Sequence, residues 1–523
     1  MFRLCRHVRE ELKHVWTHRV IGEVVLDTPD RLKAKGLSLK GEVKISRIDI
    51  PIRNLFPGIL KDHRHSDVHG IPLAVFTARS RYAAPTALSL LCLITQPSFS
   101  VGDVIYDRVM SSTSLPTRHA DISIDGERLW DTMHRLAEIG ATEAGGVARV
   151  ALTDVDKAGR DQFIEWVTAL GCTVHIDRVG NLFARYEGSD SSRSPVVIGS
   201  HLDSQPTGGK YDGAYGVMVG LEVLRALHAN DTRLAAPVEV VSWTNEEGAR
   251  FPPAMLGSGV FSGDISLEAG LGSTSMQGDV LGEELLRIGY SGPELPGERP
   301  IGYYLEPHIE QGPILEEGDH TIGIVTGVQG VRWYDVTITG QEAHAGTTPM
   351  ERRSDAMVSA ARLITEVDNI ARRRGPAGRS TVGVVEVEPG SRNTIVGTVR
   401  MTVDLRHPDA DVLAEMDAEF REFVTSLQPQ PEVEQIWYSA PIEFDPEIVS
   451  ALRTAATDQG KDPVDITSGA GHDACYISKV APTGMIFIPC ADGLSHNEAE
   501  AITYEHAIAG AEVTLAAVLQ LGS

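Results

Sequence analysis

The sequence predicts an α/β fold: a mainly parallel-sheet domain carrying an inserted, smaller α+β domain. Two observations predict it. Between Asp121 and Glu247, short apolar strands alternate with helices, the signature of a parallel sheet covered by helices on both faces. Roughly between residues 327 and 440 the pattern changes to βαββα, with strands that alternate apolar and polar residues.

DGERLWDTMHRLAEIGA carries Leu129, Met133, Leu136 and Ile139 at helical spacing. TDVDKAGRDQFIEWVTALGC is a second amphipathic helix with a Thr at its N-cap. TVHIDRVGNLFARYEG alternates as a hairpin around Gly180-Asn181. PVVIGSH and APVEVVSWTNEE are apolar strands joined by the helix GVMVGLEVLRALHA. After GIVTGVQG, WYDVTITGQ reads as a strand and Asp355–Arg374 as a long helix ending in a basic run before Gly375. STVGVVEVEPG and GTVRMTVDLRH read as strands, and DADVLAEMDAEFREFVTSL as a helix. This pattern suggests a four-stranded antiparallel sheet with helices on one face. From Pro441 the chain returns to complete the first domain. The expected divisions are residues 1–118 as an extension without an assigned function, 119–326 and 441–523 as the two parts of the catalytic domain, and 327–440 as the insertion.

Charge separates the first segment from the rest. Residues 1–118 hold 18 Lys/Arg and 11 Asp/Glu, a balance of +7, so the remainder carries −32 of the net −25. So acidic a chain has no basic surface with which to neutralise phosphates, which argues against nucleic acid and anionic membranes as partners. The five cysteines (Cys5, Cys92, Cys172, Cys475, Cys490) are odd in number, widely spaced and without a CxxC, which fits a reducing cytosol rather than a disulfide framework. No run approaches the ~20 apolar residues of a membrane span, and no apolar stretch follows the basic N-terminus to make a signal peptide.

The chemistry concentrates at strand ends. VIGSHLDSQPTGGKYDG brings His201, Asp203 and Asp212 after one apolar strand, and VEVVSWTNEEGARF ends a second on Glu246-Glu247. A histidine after a strand is usually an ordinary polar residue, and a Glu-Glu pair is usually a solvated face. Here both follow β-branched runs, where α/β sheets place ligands, and GGKYDG lets the backbone turn Asp212 inward. His308 in EPHIEQGP and His496 in GLSHNEAE complete what a two-metal hydrolase needs: imidazoles, a shared carboxylate, and a second carboxylate free to move protons.

GSHLDSQPTGGKYDGAYGV, WTNEEGARFPPAMLGSGVF, HIEQGPILE, QEAHAGTTPM, DLRHPDAD and SGAGHDA resemble the hydantoinase/carbamoylase branch of the M20 metallopeptidase-like hydrolases. The likeness runs from about Ile122 to the C-terminus. That branch includes N-carbamoyl-L-amino-acid hydrolases, metal-dependent β-ureidopropionases and allantoate amidohydrolases.

The resemblance implies two divalent metals bridged by Asp212, one completed by His201 and His308, the other by Glu247 and His496. This donor set suits zinc, manganese, cobalt or nickel. It implies Glu246 as the general base; the residues alone do not settle which of Glu246 and Glu247 ligates. Asp203 is expected to accept a hydrogen bond from the His201 imidazole and fix its tautomer. His344 is implied to reach across a homodimer and stabilise the oxyanion. Asn393, Arg406 and Gln311 are implied to bind substrate, Arg406 through a carboxylate and Gln311 through the carbamoyl amide, while Gly469 and Ala470 line the pocket by backbone. His472 is expected to be structural.

The expected substrate is an N-carbamoyl amino acid, cleaved to amino acid, CO2 and ammonia; SQP after Asp203 resembles members acting on N-carbamoyl-β-alanine. A dipeptidase or aminoacylase on the same scaffold, or a binding protein that kept the fold, are the competing readings. The complete ligand set together with Glu246 disfavours the last.

Overall fold

The computed structural model describes residues 122–523, and before them five strands only: β1 Val24–Asp27, β2 Arg31–Ala34, β3 Val43–Ile48, β4 Leu73–Ala78 and β5 Ser89–Leu93. The chain divides into the units Met1–Thr117 and Arg118–Ser523. In the first, β1 pairs antiparallel with β2, and β3-β4-β5 form an antiparallel sheet. The readings of residues 1–118 as an extension, and of its start as lacking a signal peptide, lie outside the described residues.

The second unit is built on a nine-stranded sheet comprising β6 Thr173–Ile176, β7 Leu182–Tyr186, β8 Val196–His201, β9 Val238–Trp243, β10 Tyr303–Ile309, β11 Gly323–Val328, β19 Ile442–Glu443, β20 Val464–Ser468 and β21 Thr483–Ile488. Its centre, β21-β10-β8-β9, is parallel throughout. Antiparallel strands flank it: the hairpin β6-β7, turning at Gly180 with φ +86, pairs with β9, and β11 pairs with β21. The parallel centre is fully buried because helices cover both faces, which is why these strands read as continuous apolar runs.

The helix Ala214–Ala229 links β8 to β9 and is buried on almost every side, matching its nearly unbroken apolar sequence. Its one acid, Glu222, is fully buried and accepts from Arg128 Nε at 3.0 Å and Nη2 at 2.6 Å, so the charge is not left unpaired. The helices Gly126–Ala137 and Asp154–Ala169 also form, the latter with the Thr153 side chain accepting from the N–H of Asp156. Among the described residues no helix is long and apolar enough to cross a membrane.

Residues 330–439 build a separate layer with its own core of Tyr334, Leu363, Val403, Met416 and Phe420. The sheet has five strands where four were expected: β12 Gly330–Thr339, β14 Arg379–Thr381, β15 Val385–Glu388, β17 Thr398–His407 and β18 Glu432–Ser439. The stretch 380–389, read as one strand, breaks near Gly383 into two short strands that both pair with β17. The helices Ala356–Arg373 and Ala410–Ser426 pack against one face. Trp333, Asp404 and Arg406 lie on the other, by the period-two alternation of β12 and β17.

Candidate metal centre

Three adjacent parallel strands deliver the site at their carboxyl ends. β8 ends on His201, β10 carries His308 as its penultimate residue, and Glu246-Glu247 begin three residues beyond the end of β9. A hydrogen-bonded frame locks these strands together: Ser200 Oγ donates to Glu306 at 2.8 Å, Tyr304 Oη to Glu306 at 3.1 Å, and Trp243 Nε1 to Tyr304 at 2.9 Å.

Asp212 stands between two groups of ligand atoms. Its Oδ1 is 3.3 Å from His308 Nε2 and 4.0 Å from His201 Nε2; its Oδ2 is 3.5 Å from His496 Nε2, which is 3.1 Å from Glu247 Oε2. Within each group, His201/Asp212/His308 and Asp212/Glu247/His496, the ligand atoms lie within 4.8 Å of one another. In both buried histidines the Nδ1 faces a backbone carbonyl, that of Asp203 at 2.9 Å and that of Ile309 at 2.9 Å. A carbonyl only accepts, so each Nδ1 carries the proton and each Nε2 keeps its lone pair; that of His308 accepts from the Gly213 N–H at 3.2 Å. The donors fit two divalent ions sharing one carboxylate.

The two groups differ in exposure. His201 and His308 are 2% and 1% exposed, whereas the His496 side chain is 52% exposed. In their protonated form His308 and His201 outweigh the burial that opposes ionisation of Asp212 and hold the acid at about 2. Burial pushes Glu246 well above the usual carboxylate range, against the opposing pull of His201.

The geometry separates the adjacent glutamates. Glu247 groups with Asp212 and His496, while Glu246 Oε2 lies 3.4 Å from His201 Nε2, on the inner side. Asn245 just before them adopts φ +57, and its Nδ2 donates to the Phe251 carbonyl at 2.7 Å, fixing the turn that presents the pair.

Two expectations are corrected. The Asp203 carboxylate does not meet His201; its backbone carbonyl does, and the carboxylate instead accepts from the N–H groups of Glu246 and Glu247, both at 3.3 Å. The chain turns after β8, so the carbonyl lies beside the ring while the side chain points to the neighbouring strand's loop. Gln311 is tied to the shared carboxylate: its Nε2 donates to both Asp212 oxygens at 3.1 and 2.9 Å, while its Oε1 is buried without a partner among the described residues. Ala470 does not offer its backbone, because both its N–H and its carbonyl are engaged by Ser468 Oγ. The Gly469 carbonyl is engaged as well, accepting from Gln329 Nε2 at 2.8 Å and Arg406 Nη1 at 3.1 Å.

The Arg406 guanidinium also donates to Asp404, with Nη2 at 2.8 Å. His344 and Asn393 come together through the short pair β13 Ala343–His344 and β16 Thr394–Ile395, and the N–H of Ala345 donates to the Asn393 carbonyl. His344 is exposed, and its Nδ1 accepts from the N–H groups of Gly346 and Thr347, so Nε2 carries a free N–H. His472 is buried with its Nε2 3.0 Å from Ser468 Oγ and its ring against His308. Glu306, His308 and His472 also lie within ligand distance of one another, but Glu306 already accepts from Ser200, Tyr304 and the N–H of Ala474, which makes it scaffold.

Glu500 was not singled out from the sequence. Its Oε1 accepts from the N–H groups of Tyr211 and Asp212, 2.8 and 3.1 Å away, and holds the loop that carries the shared carboxylate. The sequence offers no local signal for a contact spanning 288 residues. Gly213, next to Asp212, has φ +64, and a Cβ there would stand 2.2 Å from His201 Nε2. Gly213→Ala is therefore expected to cost ~1–3 kcal/mol in denaturation from the left-handed backbone alone and to displace His201. Chemical denaturation beside elemental analysis reads both; unchanged stability and metal content would refute the assignment.

Comparison with known proteins places this geometry. The description "Peptidase family M20/M25/M40" matches residues 197–520. The N-carbamoyl-L-amino-acid amidohydrolase of Rhizobium meliloti is 45% identical over 401 residues, 76% of this chain and 96% of that protein. The allantoate amidohydrolase of Escherichia coli is 32% identical, over 71% of this chain and 92% of its own. The crystal structure of a hydantoinase/carbamoylase family amidase from Burkholderia multivorans, 52% identical, superposes with a TM-score of 0.74 over 77% of this chain and 98% of its own. The chain belongs to peptidase family M20/M25/M40, within the hydantoinase/carbamoylase group of amidases.

Proposed function

We propose that this protein is a two-metal amidohydrolase that cleaves the ureido group of an N-carbamoyl amino acid to the amino acid, CO2 and ammonia. The observation that carries the reading is the Asp212 carboxylate, with one oxygen toward His201 and His308 and the other toward His496 beside Glu247. Similarity to the N-carbamoyl-L-amino-acid amidohydrolase of Rhizobium meliloti supports the substrate class. Zinc, manganese, cobalt or nickel would be held by His201, Asp212 and His308 on one side and by Asp212, Glu247 and His496 on the other. Bound there, such ions lower the pKa of water and polarise a carbonyl.

Glu246 takes the proton of the attacking water and passes it to the leaving nitrogen. Arg406 turns its Nη1 toward the Gly469 loop and pairs with the substrate carboxylate. Gln311, with its unpartnered Oε1, recognises the carbamoyl amide. Asp203 positions the base by holding the backbone of Glu246 and Glu247.

His344 offers its Nε2–H to the oxyanion, and Asn393 beside it contacts substrate; both act from the partner subunit of a homodimer. Residues 327–440, as a lid, carry this interface, residues 119–326 and 441–523 the chemistry, and residues 1–118 are an extension without an assigned function. A cytosolic setting agrees with the free, buried Cys172, Cys475 and Cys490.

Release of ammonia from the ureido substrates, and of free amino acids from the dipeptides, tests the reaction directly. The metal-stripped protein, reloaded with zinc, manganese, cobalt or nickel, is offered N-carbamoyl-L-amino acids, N-carbamoyl-β-alanine, allantoate and dipeptides. Turnover of an N-carbamoyl amino acid is expected; cleavage of dipeptides or allantoate alone would overturn the reading. His344→Ala and Glu246→Gln proteins, each inactive, are expected to regain about a quarter of wild-type activity when mixed under subunit exchange, since half the dimers then hold one intact site of two. No recovery after verified exchange would place His344 within its own subunit.

A further inference from the structure

The two halves of the centre are oriented by different means. On the inner side, His201 and His308 each have Nδ1 tied to a backbone carbonyl. On the outer side, His496 has no hydrogen bond to its Nδ1 among the described residues, sits at φ +52, and is half exposed. The imidazole that most needs orienting is the one without a fixed partner.

What is held on that side is the carboxylate. Gln205, half-buried in the loop after β8, donates through Nε2 to Glu247 Oε2 at 2.7 Å, the same oxygen that lies 3.1 Å from His496 Nε2. A carboxylate only accepts, so the amide nitrogen must face it. The Glu247 backbone N–H is pinned to Asp203 as well, and its side chain is 4% exposed. Main chain and side chain of Glu247 are thus both fixed, each by a residue of the loop after β8.

We infer that Gln205 is the positioning residue of the outer metal site, holding Glu247 in the orientation a divalent ion requires. This rests on the two-metal reading above. The choice of an amide has a physical reason. A lysine or arginine at this position would neutralise Glu247 and compete with the cation, whereas a neutral donor orients the carboxylate and leaves its charge available. An apolar side chain would leave Glu247 free to rotate, and of the three outer donors only the shared Asp212 would stay fixed.

The test is metal titration of the chelator-stripped protein, by calorimetry and by the visible absorption of Co(II). Wild type is compared with Gln205→Met, which keeps the length but loses the donor, and Gln205→Lys, which adds a competing charge. Two binding steps are expected in wild type. In Gln205→Met the second is expected to weaken ~10–100-fold, with its Co(II) spectrum altered, while the first stays unchanged; Gln205→Lys weakens the second step further. Thermal unfolding of the stripped proteins separates this from a folding defect. Equal weakening of both steps would show a general structural role, and two unchanged steps would show no role; either overturns the inference. If wild type itself takes up fewer than two ions, the two-metal reading fails first, and the wild-type titration alone reveals it.

Discussion

Glu246→Gln should abolish turnover while leaving the metals in place. The substitution changes little volume and keeps a hydrogen-bonding group near His201 Nε2, where Glu246 Oε2 stands at 3.4 Å. It removes the group that accepts the proton of the attacking water, and general-base work contributes about 10²–10⁴ in rate. The neighbouring ligand is untouched, since Glu247 reaches the outer side and its N–H remains held by Asp203. Kinetics on the best substrate beside elemental analysis tests both halves. Activity within about tenfold of wild type would remove Glu246 from the role of base; loss of metal with the activity would instead mark it as a ligand.

Asp212→Asn should have an equally large effect by a different route, depleting both metal sites at once. Asp212 is the one residue common to the two candidate groups, and each oxygen faces a different one. An asparagine offers one neutral carbonyl where two charged oxygens stood, so the inner group loses its anionic donor and the outer group keeps only Glu247 of its two. Metal catalysis supplies several kcal/mol, so kcat should fall by on the order of 10³ or more. His496→Ala is the control, because it belongs to the outer group only and should spare the inner ion. Elemental analysis after dialysis distinguishes them. If Asp212→Asn retained one tightly held ion, the carboxylate would not be shared.

Much of the scaffold could be read from the chain because its signals are local. The helix Asp154–Ala169 follows from its 3.6-residue period and Thr153 cap, and the hairpin from a glycine at φ +86 between alternating strands. The placement of His201 and the glutamates at carboxyl ends of neighbouring strands also follows, because right-handed strand–helix–strand units bring those ends together; the strand that carries His308 is not among those the sequence predicts. The extra strand in the insertion was not legible. Whether residues 380–389 pair as one strand or two depends on their fit along β17, not on their own propensities.

Within the site, residue types and order were local information, and orientation was not. The sequence determined by itself that imidazoles and carboxylates gather at the ends of adjacent strands. Only the tertiary structure decided which glutamate faces which side, that a carbonyl rather than the Asp203 carboxylate sets the His201 tautomer, and that Gln205, Gln311 and Glu500 grip the acids. The physical reason is that Glu246 and Glu247 are equivalent as chemistry. They are distinguished by the backbone turn at Asn245 and by bonds from Asp203 and Gln205, more than forty residues away along the chain. Asp212 in turn is held by Glu500 from 288 residues away. Such contacts exist only once the sheet has brought the loops together.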